Sequence, residues 1–284
     1  MALNSDEVGK PTEPYTVQWT SDDALLYALA VGVAKGHDHR HLGFTTDNTE
    51  GFKHRVLPTF GATIVENAGR WPPIGSIDHT RVLHAGQKLT VYRDLPTNGS
   101  LLIQTTLEGL YDHQKSALAV YRSEGRAADT GERILSTEST HIIRGAGGFG
   151  GGRRTRSDQP MPSRAPELVA NVVTYRDQAL LYRLCGDRNR LHSDPTYAHS
   201  CGFEHPILHG LCTFGIAGSV LLDLICDYDS SSFLSISMRF SAPVFPGDRL
   251  TFNVWNLDQN THAFLAYNSA NDIVLNYGTF MTNA

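Results

Sequence analysis

Four cysteines in 284 residues, all between Cys185 and Cys226 and none in a C-x-x-C pair, leave no disulfide framework of the kind that staples small secreted domains. Reduced thiols in a cytoplasmic protein are the expected state. Basic residues are also short, 24 Lys and Arg against 29 Asp and Glu, which gives a net charge of -5 and a pI near 6.2. Nucleic acids and anionic membranes are recognised by a clustered basic excess, so neither is an expected partner. The one basic cluster, GGGRRTR, reads as a solvated connector. The longest apolar run, ALLYALAVGVA at 24–34, falls well short of the ~20 residues of a membrane helix. The start MALNSDEVGK is too polar for a signal peptide, and the final MTNA is not a peroxisomal address.

Two cofactor signals are missing as well. H-E-x-x-H does not occur, and His192, His199, His205 and His209 interleave with cysteines without ligand spacing, so no metal is expected. The other histidines, including HDHRH at 37–41, read as surface residues. GAGGFGG at 145–151 has dinucleotide-loop glycines, but no helix follows it, and it reads as a flexible connector.

What the chain does have is a core and a repeat. With 40% hydrophobic and 19% charged residues it can bury a sizeable interior, as one large domain or two small ones. Residues 144–167, RGAGGFGGGRRTRSDQPMPSRAPE, lack periodicity and divide the chain into 1–143 and 168–284. DALLYALAVG at 23–32 parallels DQALLYRLCGD at 177–187, and LPTFGATI at 57–64 parallels HGLCTFGIAG at 209–218, both at offsets of 154 to 155. HGLCTFGIAGSVLLDLIC at 209–226 is apolar nearly all round, which predicts a buried helix. In FLSISMRF, Leu234, Ile236, Met238 and Phe240 alternate with polar residues, the period of a half-buried strand. Strand-like stretches follow it, and KLTVYRDL, SLLIQTTLEGLYD, SALAVYRSEG and STESTHIIR are their counterparts in the first half. Helix followed by antiparallel strands, twice, is α+β.

The chemistry-bearing stretch is YRLCGDRNRLHSDPTYAHSCGFEHPILHGLCTFG at 182–215. Asp187 and His192, five residues apart, supply an acid and an imidazole whose tautomer a neighbouring carboxylate can fix. Gly210 opens the apolar helix, where unpaired N–H groups and the helix dipole favour an oxyanion. Taken singly, Asp187 and Asn189 read as turn or cap residues of a G-D-x-N loop, and Asp194 as the cap of PTYAHS. The ordered combination is what points to proton transfer beside a carbonyl.

YRLCGDRNRLHSDP followed by GFEHPILHGLCTFG closely resembles the signature of the type 2 (R)-specific enoyl-CoA hydratases, the MaoC-like hydratases, with Cys185 in place of Ser and Arg190 in place of Pro. Arg190 gives up a fixed backbone angle and is expected to loosen the loop. The resemblance extends to LPTFGA, VLHAGQ and MRFSAPVFPGDRL. It implies a double hot-dog fold, each half a long central helix wrapped by a curved sheet. It also implies hydration of trans-2-enoyl-CoA to the (3R)-hydroxyacyl-CoA, with no cofactor or metal and commonly as a homodimer. One water would sit between Asp187 and His192, Asn189 would help hold the site, and the Gly210 N–H would bind the thioester oxygen. Coenzyme A is expected at the surface between the halves. His84, Ala85 and Phe240 match residues that contact acyl-CoA, and Lys115 stands two places beyond the family's usual lysine, where this chain has His113.

Two other activities remain open, an acyl-CoA thioesterase on the same fold and a non-catalytic acyl-CoA-binding subunit. In the first half the repeat sets Gly32 against Asp187, His37 against His192 and Val56 against Gly210. That half therefore reads as non-catalytic and free to accommodate the acyl tail, with Gly61 a position where a larger residue would exclude long tails.

Overall fold

The computed structural model describes residues 2–33, 39–154 and 160–283. A two-stranded ribbon joins β1 (Ala2–Leu3) to β3 (Gly75–Ser76). The other strands form one sheet of ten. The first half supplies β2 (Tyr15–Trp19), β4 (Val82–Val91), β5 (Gly99–Asp112), β6 (Ser116–Ala127) and β7 (Arg133–Arg144). The second supplies β8 (Leu168–Val173), β9 (Phe233–Phe240), β10 (Arg249–Asn256), β11 (Thr261–Tyr267) and β12 (Ile273–Thr282). The spatial order β2-β5-β6-β7-β4-β9-β12-β11-β10-β8 is the same five-strand pattern run outward twice from its middle. The halves meet where β4 and β9 pair antiparallel, Leu89 opposite Ile236.

Each half also carries helices in the same order, α1 (Ser21–Ala30), α2 (Leu42–Thr45) and α3 (Phe60–Asn67), then α4 (Gln178–Tyr182), α5 (Pro195–Ser200) and α6 (Gly210–Cys226). This is the α+β double hot-dog arrangement, with one difference from expectation. The first half's central helix spans 8 residues against 17 in α6. Its start is delayed by Pro58 in the stretch that matches the first turn of α6. Its end is fixed by Gly69 at a φ of 65°, followed by Pro72 and Pro73, which cannot continue a helix.

The central helices meet through glycines. A Cβ on Gly215 would lie 2.5 Å from the Tyr27 hydroxyl, and one on Gly218 would lie 2.3 Å from the Thr59 methyl, so backbone replaces side chain where α6 crosses the first half. Tyr27, Phe60 and Phe214 fill the space around that crossing, each 3% exposed or less. Burying such a ring is worth about 1.5–3 kcal/mol. Polar ties join the halves too: Thr63 Oγ1 and the Tyr182 hydroxyl are 3.0 Å apart, and Gln178 Nε2 donates to the Ala30 carbonyl at 3.0 Å.

Several expectations are corrected by their surroundings. Strand β9 lies mid-sheet, so Ser235 is buried along with Ile236 and Met238, and strict alternation is lost. Of the HDHRH histidines, His39 is exposed but His41, at the start of α2, is only 5% exposed rather than on the surface. The glycines of 145–151 are not a loose connector: Gly148 and Gly150 each donate an N–H to the Asp112 carboxylate at 2.9 Å. Those donors, with the Gln114 N–H, hold the Asp112 carboxyl below its ordinary range. Later in 144–167, Arg154 bonds Glu138 at 2.8 Å and the Arg164 carbonyl accepts from Trp255 Nε1 at 2.8 Å, so the connector is tied to both halves.

Gly61 does not gate an acyl tail. A Cβ there would lie 2.8 Å from Leu135 Cδ2 and 3.4 Å from Leu95 Cδ1, inside the core of the first half. Gly61→Leu is therefore expected to destabilise the fold by roughly 1–3 kcal/mol or more, as overpacking does. Thermal unfolding reads this as a lowered Tm. An unchanged Tm with selective loss of long substrates would restore Gly61 as a gate.

Candidate active site

Between α4 and α6 the chain makes a loop built by its own short polar side chains. Gly186, at a φ of 124°, turns the chain out of a 3-10 turn, a conformation open to glycine and strained for other residues. The Asp187 carboxylate accepts from the Asn189 N–H at 3.0 Å, and Asn189 Oδ1 accepts from the Leu191 N–H at 3.0 Å. That second bond caps the turn Arg190–His192, which carries His192 inward. Asn189 is thus a cap and a positioning residue at once. Asp194 caps α5 as expected, accepting from the Thr196 and Tyr197 N–H groups. Arg190 does not loosen the loop, because its guanidinium pairs with Asp194 at 2.5 Å and lies 5.1 Å over the Tyr197 ring.

His192 is 9% exposed and its Nδ1 donates to the Ile207 carbonyl at 2.8 Å. In the neutral ring that bond fixes the tautomer, leaving Nε2 as the free lone pair. Burial lowers the His192 pKa, and the nearby Asp187 charge opposes that shift. His209 stacks on His192 with ring centroids 3.7 Å apart at 26°, and its Nε2 lies 3.3 Å from the Asp187 carbonyl. Burial and the His192 ring push the His209 pKa down to about 2. One donor atom each from Asp187, His192 and His209 falls within 4.8 Å of the others. Geometry of this kind would admit a cation, but His192 Nδ1 and His209 Nε2 face backbone carbonyls. What remains without a hydrogen-bond partner beside the Asp187 carboxylate is one nitrogen on each ring, His192 Nε2 and His209 Nδ1, the second buried.

Gly210 is the first residue of α6, and its N–H has no partner among the described residues. A Cβ on Gly210 would stand 3.4 Å from the Phe240 ring, so the backbone lies open beside that ring. Asp187, Asn189, His192, Gly210, His84, Ala85 and Phe240 all line one cleft of about 1170 Å³. His84 packs edge-on to Phe240 at 5.0 Å, and its Nε2 lies 2.9 Å from Gln87 Oε1. Lys115 does not join them. It is exposed in the turn between β5 and β6 and is not among the residues lining the cleft.

The first half contributes more than the motif signals. Asn67, at the end of α3, donates to the Cys185 carbonyl at 2.8 Å and so ties that helix to the loop that carries Asp187. A Cβ on Gly186 would lie 2.9 Å from the same Asn67 amide. The signal was a polar pair, Glu66-Asn67, ending the otherwise apolar FGATIVEN. Val56 precedes α3 by four residues and is buried, so the first half has no helix-opening glycine at the matching place. His37 lies outside the described residues.

Two family models match consecutive parts of the chain, the MFE-2 hydratase 2 N-terminal domain over residues 17–145 and the MaoC like domain over residues 157–274. The 3-hydroxyacyl-thioester dehydratase Y of Mycobacterium tuberculosis is 38% identical over 93% of this chain and 91% of its own. The peroxisomal enoyl-CoA hydratase 2 of Arabidopsis thaliana is 35% identical over 86% and 84%. A crystal structure of a MaoC-like dehydratase from Phytophthora capsici superposes with a TM-score of 0.88 at 29% identity, covering 99% of this chain and 98% of that one. A Mycobacterium tuberculosis protein described as a double hotdog fold shares the architecture at a TM-score of 0.61 and 15% identity, over 97% and 96% of the two chains. With both halves matched in order and the signature loop folded around one cleft, the chain belongs to the MaoC-like hydratase 2 family.

Proposed function

We propose that the protein reversibly hydrates trans-2-enoyl-CoA to (3R)-3-hydroxyacyl-CoA. The observation that carries this reading is the convergence of the Asp187 carboxylate, the His192 imidazole and the unpaired Gly210 N–H on one cleft. A water held between Asp187 and His192 loses a proton to the pair as its oxygen bonds to C3. The electrons of the double bond move onto the thioester oxygen, where the Gly210 N–H and the start of α6 stabilise them. A proton returns from the pair to C2, so one water is consumed and no oxidant or reductant is needed. The reaction asks for neither metal nor redox cofactor. Coenzyme A enters only as part of the substrate.

Incubation with crotonyl-CoA and with a longer enoyl-CoA tests this reading. Loss of enoyl absorbance without release of free thiol, and a 3R product on chiral analysis, are the expected results. Thiol release would favour a thioesterase, and binding without turnover a non-catalytic subunit.

The acid limb of kcat/KM has a direction too. Burial lowers the His192 pKa, so the ring stays neutral and able to accept a proton below its ordinary 6.5. The limb is expected below pH 6.5 in the wild type. In the residual activity of Asp187→Asn it should move lower still, because the Asp187 charge is what raises the pKa. A limb above 6.5, or one unmoved in the variant, would contradict the pairing.

No helix among the described residues is long and apolar enough to cross a membrane. Cys185 and Cys201 are half-buried and Cys212 and Cys226 buried, none of them in a disulfide, which suits a cytoplasmic protein, although some relatives are named peroxisomal. A homodimer is supported by exposed apolar side chains of the second half, Val169 and Val173 on edge strand β8 at 54% and 49%, with Leu180 and Leu184 further along the chain.

A further inference from the structure

His209 takes no part in the proton transfers of hydration and does not line the cleft, yet it meets each group that does the chemistry. It is 1% exposed, and its ring stacks on His192 with centroids 3.7 Å apart at 26°. Its Nε2 lies 3.3 Å from the Asp187 carbonyl, 22 residues away along the chain. Its own carbonyl accepts from the Thr213 N–H at 3.1 Å and the Thr213 hydroxyl at 3.3 Å, which orients the peptide whose N–H belongs to Gly210. The imidazole makes no capping bond to α6, so starting the helix does not explain it.

Hydrogen bonding explains why this ring is a histidine. A carbonyl only accepts, so the neutral ring carries its proton on Nε2 and leaves Nδ1 as a bare lone pair. That Nδ1 is buried without a partner among the described residues, an uncommon condition in a folded interior. A phenyl ring would avoid the orphaned nitrogen but could not bind the Asp187 carbonyl. An amide could bind the carbonyl but would not cover the His192 ring. Imidazole does both.

The surroundings keep the ring neutral. Tyr182 of α4 packs at 4.9 Å, Arg183 follows it, and the loop and turn beyond bring Asp187 and His192. Burial, the His192 ring and the Arg183 charge lower the His209 pKa, opposed only by the bond to the Asp187 backbone. A cation stacked on His192 would repel the imidazolium that His192 becomes on taking a proton. A neutral ring there excludes water from one face of His192, and exclusion of water favours the neutral form that accepts the proton. In the first half the repeat sets Arg55 at this place, beside the Val56 that matches Gly210.

We propose that His209 is a positioning residue for hydration, its Nε2–H holding the backbone of Asp187 and its ring covering His192, so that carboxylate and imidazole keep one geometry about the reacting water. The assignment rests on the hydratase reading for the reaction, but not for the two contacts.

Two substitutions separate those contacts. His209→Phe keeps a flat ring against His192 and loses the donor, whereas His209→Gln keeps a donor near the place of Nε2 and loses the ring. In His209→Phe, kcat for crotonyl-CoA is expected to fall about tenfold, the scale of one net hydrogen bond, while the acid limb of kcat/KM stays at its wild-type position. In His209→Gln, kcat should fall less, but the limb should move up towards pH 6.5, because a hydrated His192 holds its proton to higher pH. KM should change little in either, since neither contact is made to substrate. NMR titration of the His192 imidazole reads the same shift without turnover, and Tm checks that both variants are folded. Equal changes in kcat and limb for the two variants, or wild-type values of both in both, would overturn the assignment. Absence of hydration in the wild type, with His192 titrating higher in His209→Gln and unmoved in His209→Phe, would leave the two contacts standing and sink the hydratase reading alone.

Discussion

Replacing Asp187 with Asn, or His192 with Ala, is expected to lower the hydration rate by about 10²-fold or more while the fold stays intact, the scale on which positioned acids and bases contribute. The two act as a unit. His192 is held by the Ile207 carbonyl with its Nε2 free, and Asp187 sits close enough for its charge to oppose the desolvation of the ring. Asp187→Asn keeps an oxygen for the Asn189 N–H and removes only the charge. His192→Ala also removes the ring on which His209 stacks, so its structural integrity should be checked by circular dichroism and Tm. The double variant should be little slower than the worse single one, as groups serving one proton transfer are not additive. Near-normal turnover in both well-folded single variants would remove this pair from the chemistry.

Gly210→Pro is expected to cost roughly 10² to 10³ in kcat, the effect of losing one oxyanion donor. Proline suits the first position of a helix, where the missing N–H would otherwise lack an intrahelical partner. His209 already has a φ of -59° and a ψ of 138°, the backbone that precedes proline without strain. The substitution therefore deletes the proposed donor with little damage to α6. Gly210→Ala keeps the N–H and brings a Cβ to 3.4 Å from the Phe240 ring, an ordinary contact, so its loss should be smaller. Equal losses in the two variants, or full activity in the proline variant, would place the thioester oxygen elsewhere.

Local signals in the sequence carried much of this site. Asp187, Asn189, His192 and Gly210 converge because a glycine turn, two side-chain caps and a helix start are each written within a few residues. The double fold was legible for a related reason, since the repeated Thr-Phe-Gly at 59–61 and 213–215 falls where the central helices cross. What escaped depends on contacts distant along the chain. Asn67 reaches Cys185 across 118 residues, and the polar pair Glu66-Asn67 that ends its helix marks the position without saying which loop it ties. Gly61 looked like a space-maker for substrate, but a glycine gives the same signal when a leucine of the core fills the gap, as Leu135 does. Lys115 is exposed in the turn between β5 and β6 and does not line the cleft, because a place in a turn does not say where that turn lies in the fold.

Hydration of crotonyl-CoA in D2O, with the product's relative configuration read by NMR and its absolute configuration by chiral analysis, tests most directly whether one water between Asp187 and His192 serves one face of the substrate. A (3R)-hydroxyacyl-CoA with deuterium added at C2 on the same face as the hydroxyl is the predicted product. Addition to opposite faces, or a 3S product, would contradict the assignment of both protons to this pair.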